Sequence, residues 1–97
     1  MSRRRAEFIG FSGVVQGHIE NYAVPQYGDA PNDQVEAWTA AQCMDSVKRY
    51  SNRFESNARG RLETLRDIVK IAHYACLIFG KLDPTADEIN KIVDGVI

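Results

Sequence analysis

The sequence predicts an all-α fold. Apolar residues recur every three or four positions over two long stretches, no alternating run lasts long enough for a strand, and helix breakers cluster between the stretches. The predicted architecture is an antiparallel helical hairpin over about 33–55 and 61–80, with a shorter N-terminal helix and a C-terminal helix, dimerising into a bundle.

Each element has its own grounds. Residues 1–11 read as a flexible basic arm carrying Arg3, Arg4 and Arg5. Ser12 is a plausible N-cap for a helix in which Val14, Val15, His18, Ile19 and Tyr22 share a face. Gly13 and Gly17 weaken it by roughly 1 kcal/mol each. "VPQYGDAPND" then predicts a loop displaying Tyr27, Gly28 and Asp29, either a plain turn or a functional one. Asn32 can cap the next helix, with Asp33 and Glu36 near its start, and Val35, Trp38, Ala41, Met44, Val47, Ser51 and Phe54 form its apolar stripe. "ESNARG" is short enough to return the chain antiparallel. Gly80 marks the predicted stop of the second long helix, with Lys81 placed to suit a helix C-terminus. Asp83 as N-cap and Pro84 in the first turn predict a last helix that buries Ile89, Ile92, Val93 and Val96.

Ninety-seven residues, 44% of them hydrophobic, make a single domain over 1–97. Twelve basic against thirteen acidic residues leave a formal charge of −1. That balance argues against a nucleic-acid binder but leaves room for a small anionic ligand held by two or three local cations. Cys43 and Cys76 lie far apart in helical stretches and read as buried free thiols. "MSRRRAEF" is followed by no apolar run of signal-peptide length, and no stretch is long and apolar enough to span a membrane, so a cytoplasmic location is expected.

The stretch "RLETLRDIVKIAHYACLIFGKL" reads either as an ordinary core helix or as one in which Glu63, Asp67, Lys70 and His73 carry chemistry. Leu62, Leu65, Ile68, Val69, Ala72, Ala75, Cys76 and Phe79 fall on one side, and Ile71, Ile78 and Leu82 widen it to an arc of roughly 200°. So broad an arc asks for cover on two sides, by other helices or a second subunit. The remaining sector holds Glu63, Arg66, Asp67, Lys70 and Tyr74, with His73 at its edge. Glu63 and Asp67 form an i, i+4 carboxylate pair that repels itself unless a cation intervenes. Arg66 and Lys70, or Lys48, Arg49 and Arg53 from the neighbouring helix, could supply it, and so could Mg²⁺. The pattern allows two readings: a solvated face stitched by ion pairs, or a site in which Glu63 and Asp67 hold metal. A general acid or base would come from Glu63, Asp67 or His73, although an edge histidine satisfied by packing is the plainer account. No nucleophile elbow, Walker loop, zincin motif or CxxC is present.

"QYGD", then "VKRYSNRF", then "LETLRDIVKIAHYACLIF" resemble small helical phage and prophage families of nucleotide metabolism. One is the dATP/dGTP diphosphohydrolase-like family, matched at Tyr27, Gly28, Arg49, Tyr50, Ala72, His73, Ala75, Leu77 and Phe79. Another, phage proteins labelled nucleotide kinases, has a "KYxxR…DLxKAxxY" pattern matched by Tyr50, Arg53, Asp67, Lys70 and Tyr74. More distantly, the hairpin is similar to MazG-type pyrophosphohydrolases. Those place a Glu-Glu-x-x-Glu cluster on their first helix, where this chain has only Asp33, Glu36 and Asp45. The resemblance implies nucleotide handling, with binding kept and hydrolysis kept or lost. Tyr27 or Tyr50 would stack on a base, Arg49, Arg53 and Lys70 would hold phosphates, and Glu63 and Asp67 would hold Mg²⁺ for attack by water on a phosphoanhydride. The alternative is a non-enzymatic helical phage accessory factor that dimerises through residues 61–82 and grips a host protein.

Overall fold

A computed structural model of the chain describes residues 1–30, 34–56 and 58–95. Those residues form α1 (Arg3–His18), a π-helical turn (Ile19–Ala23), α2 (Val24–Tyr27), α3 (Gln34–Ala37), α4 (Ala40–Arg53), α5 (Arg61–Lys81) and α6 (Ala86–Val93), with no strand among them. The all-α expectation holds. The predicted roles of Asn32, Asp33 and Val96 fall outside the described residues.

Several boundaries differ from expectation, each for a local reason. Residues 3–11 are helical, because Ser2 caps α1 by accepting from the Arg5 N–H at 3.1 Å. Ser12 therefore lies within the helix, where its hydroxyl accepts from Gln16 Nε2 at 3.1 Å. Pro25 does not open the loop. The wide π turn ahead of it takes up the ladder defect that a proline causes, and the chain leaves helical geometry only at Gly28, φ 88°. The first hairpin helix is interrupted. Thr39 stops α3 and starts α4 with a capping box: its hydroxyl accepts from the Gln42 N–H at 3.1 Å, and its own N–H donates to Gln42 Oε1 at 2.8 Å.

α5 begins after Gly60, φ 89°, whose carbonyl accepts from the Thr64 N–H at 3.1 Å. Gly80 does not stop it; the chain turns at Asp83, φ 52°. Lys81 does serve a helix C-terminus, but that of α3, donating to the carbonyls of Val35 at 3.0 Å and Glu36 at 3.2 Å. The cap of α6 is Thr85, boxed with Glu88, and not Asp83.

α4 and α5 pack as the predicted antiparallel hairpin, and α1 leans on α5. The sidedness of that hairpin is the main correction. Its buried residues are Cys43 and Ser46 on α4, and Asp67 and Tyr74 on α5. Leu65, Ile68 and Phe79 on α5, and Met44 and Phe54 at the other helix, are exposed. The inward contact is made by groups that complete one another chemically: Arg53 with Asp67, Ser46 with Tyr74. Cys43 is buried as expected, but Cys76 lies on the bare side of α5 and is exposed. Ile92 and Val93 of α6 are exposed as well, so the predicted buried stripe of that helix is uncovered within the chain. No helix among the described residues is long and apolar enough to cross a membrane.

Candidate functional site

An aromatic cluster bridges the hairpin. Tyr74 is its buried centre, stacked on Trp38 with ring centroids 6.3 Å apart and 6.0 Å from Tyr50. Trp38 reaches it because the break between α3 and α4 aims that residue inward. A side-chain hydrogen bond with Ser46 satisfies the Tyr74 hydroxyl; burial is nevertheless the larger influence and raises its pKa above 10.0.

Tyr50, on α4, collects cations. Arg53 lies 4.9 Å from its ring centroid, Arg49 5.1 Å and Lys70 5.5 Å. Lys70 sits also 5.6 Å from the Tyr22 ring, so its ammonium lies between two aromatic faces contributed by α4 and the π turn. Tyr22 in turn stacks on His18 at 5.1 Å. Arg53 is committed: its Nη2 donates to Asp67 Oδ1 at 2.7 Å, with the Asp67 side chain only 10% exposed. The Nε of Arg53 is buried without a hydrogen-bond partner among the described residues. Among those residues, neither Lys70 nor Arg49 is in an ion pair.

Beside this cluster a cleft opens between α5 and the segment from the π turn to Gly28. Its outer part, about 220 Å³, is lined by Tyr27, Gly28, Val35 and His73 among others. A small inner chamber of about 30 Å³ continues from it to Tyr22, Tyr50 and Lys70. The cleft falls short of the ~300 Å³ that marks the lower end of small-molecule pockets, so it encloses a ring or an anionic group and leaves the rest of a ligand in solvent.

Four residues singled out in the sequence thus meet in one place: Tyr27, Tyr50, Lys70 and His73. Arg49 and Arg53 flank it beside the Tyr50 ring. Glu63 and Asp67 do not line it. Glu63 accepts from Arg66 Nη1 at 2.5 Å and lies 3.4 Å from Arg59, and the Arg66 hydrogen bond holds its carboxyl below the ordinary 4.5. Of the cations expected to separate the carboxylates, Arg66 serves Glu63 and Arg53 serves Asp67. Among the described residues no three His, Cys, Asp or Glu side chains gather within reach of one metal ion. With both carboxylates tied to arginines, this donor set does not fit Mg²⁺.

Burial lowers the pKa of both His18 and His73 below 6.5. Lys70 and then Arg66 lower His18 further, and His18 lowers His73. Both are therefore neutral at pH 7. Burial, then Tyr22 and Tyr50, raise the Tyr27 phenol above 10.0, so it stays a donor. Sequence reasoning did not place His18, Tyr22 and Trp38 at the site. The i, i+4 spacing of His18 and Tyr22 was the available signal for one pair. Comparisons with protein families, curated proteins and solved structures find no match to this chain.

Proposed function

We propose that the cleft binds a nucleotide, with a base ring in its outer part against Tyr27 and a phosphate directed towards Lys70. The supporting observation is the position of Lys70: an ammonium outside any ion pair among the described residues, held between the Tyr22 and Tyr50 rings at the inner end of an aromatic cleft. A planar base joined to an anionic phosphate satisfies both features of that environment, and neutral His18 and His73 can donate or accept at its edge. Binding is the function proposed. Hydrolysis through a metal is not, because Glu63 and Asp67 are engaged by arginines.

The test is a thermal-shift and calorimetric titration with nucleoside mono-, di- and triphosphates, with and without Mg²⁺, on wild type and Lys70→Gln. A ligand at ~100 Kd adds about 2.7 kcal/mol and raises the melting temperature by several degrees. The expected result is a rise that needs no Mg²⁺ and disappears in Lys70→Gln, read against that variant's own unliganded melting temperature, which loss of its contacts with Tyr22 and Tyr50 lowers by several degrees. A flat wild-type screen at millimolar ligand overturns the reading. It would leave a second one, a helical interaction protein with no small ligand, which the bare apolar side of α5 favours.

A further inference from the structure

The chain leaves far more surface uncovered than a folded monomer of its size. Its accessible area is 7516 Å² for 10.9 kDa. A monomer of that mass is expected to expose about 5,600 Å², an excess of roughly 1,900 Å². The radius of gyration agrees: 15.0 Å, where about 12.5 Å is expected for this length.

Part of that surface lies on one side of α5. Leu65, Ile68 and Phe79 are 48%, 40% and 49% exposed and fall on one side of α5, opposite the side that buries Asp67 and Tyr74. Ala72, Ala75 and Cys76 continue that side, and they floor a groove of about 460 Å³ whose other wall is Phe8, Phe11 and Val15 of α1. Among the described residues no ion pair crosses this face, and the hairpin turns Arg53, Asp67, Tyr50 and Tyr74 the other way. The result is a largely apolar surface made by two helices.

We infer that this α1–α5 face is covered by the same face of a second copy, making an isologous dimer. The area argues for a copy and not for a transient partner. Standard complexes bury about 800 Å² per partner, whereas obligate homodimers bury about 1,000–2,500 Å² per partner and do so with core-like apolar surface. The excess over the whole chain, exposed α6 residues included, is large enough to supply burial in the second range. The cleft opens on the other side of α5, so this inference stands or falls separately from nucleotide binding.

Sedimentation equilibrium of the full chain, with native alkylation of Cys76, tests it. The expected mass is twice the 10.9 kDa chain. Cys76, exposed in the single chain, should react with a maleimide much more slowly natively than in urea. Ile68→Glu should shift the mass toward one chain and speed the reaction of Cys76. A single-chain mass at high concentration overturns the inference. So does a dimer in which Cys76 reacts as fast as in urea, or one that Ile68→Glu leaves intact. If Ile68→Glu fails to fold, the wild-type mass and labelling still decide.

Discussion

The two sides of α5 contrast sharply. One packs against α4 and buries an aspartate and a tyrosine; the other carries leucine, isoleucine and phenylalanine and is half exposed within the chain. Hydrophobicity alone assigns these sides the wrong way round. The packed side is held by specificity: Asp67 is completed by Arg53, and Tyr74 is completed by Ser46, Trp38 and Tyr50. The bare side offers area without partners. The proposed dimer would use that apolar side between molecules.

The largest expected effect strikes the packed side at its centre. Tyr74→Ala removes the ring that Trp38 and Tyr50 both contact, and should cost about 3–5 kcal/mol. In a domain this small, that lowers the melting temperature by more than ~10 °C. Tyr74→Phe keeps the ring and loses only the hydrogen bond to Ser46, at about 1 kcal/mol. Urea denaturation of both variants separates stacking from hydrogen bonding. Equal losses would mean that the hydroxyl, and not the ring, holds the two helices together.

Next comes Asp67→Ala. Removing one partner of a fully buried pair costs about 3–5 kcal/mol. Here the Arg53 side chain is 33% exposed and water can reach the freed guanidinium, so about 2 kcal/mol is the appropriate figure. Nucleotide binding should survive, because the carboxylate does not line the cleft. Lost binding with unchanged stability in the same titration would restore Asp67 to the role of a ligand-holding residue.

Much of this was legible in the residues, though unevenly. Periodicity located α5 and the hairpin, because a helical stripe survives whichever side is buried. It could not say which side that was, since the α4 groups that satisfy Asp67 and Tyr74 are distant in the chain. The caps at Thr39 and Thr85 were written in "TAAQ" and "TADE", but Pro84 drew the start of α6 towards Asp83. At the site, Tyr50, Lys70 and His73 were readable because each lies on a regular helix. His18 and Tyr22 were legible as a shared face but not as neighbours of Lys70, which is distant in the chain. The π turn adds a residue to the helical register, so Tyr27 downstream of it lies about 100° from its place on an α-helical wheel.

The smallest expected effect is on pH, and it probes the seam between the packed side and the cleft. His18 and His73 have folded pKa values below 6.5, chiefly from burial, with Lys70 the next influence on His18. The unfolded chain therefore binds more protons than the folded one just below that value. Stability should be fully present above pH 6.5 and be lost as pH falls through the folded pKa values. Urea midpoints at pH 7.5 and 5.5 measure the loss, and His73→Gln should diminish it without removing it. Glu63, held below 4.5 mainly by its hydrogen bond from Arg66, adds a separate loss at lower pH. An anion at Lys70 would offset the repulsion that lowers His18, raise that pKa, and so bind with proton uptake. Nucleotide affinity should then increase from pH 7.5 to 6, the reverse of the stability trend. Affinity and stability falling together would place the anion away from His18, and with it the phosphate away from Lys70.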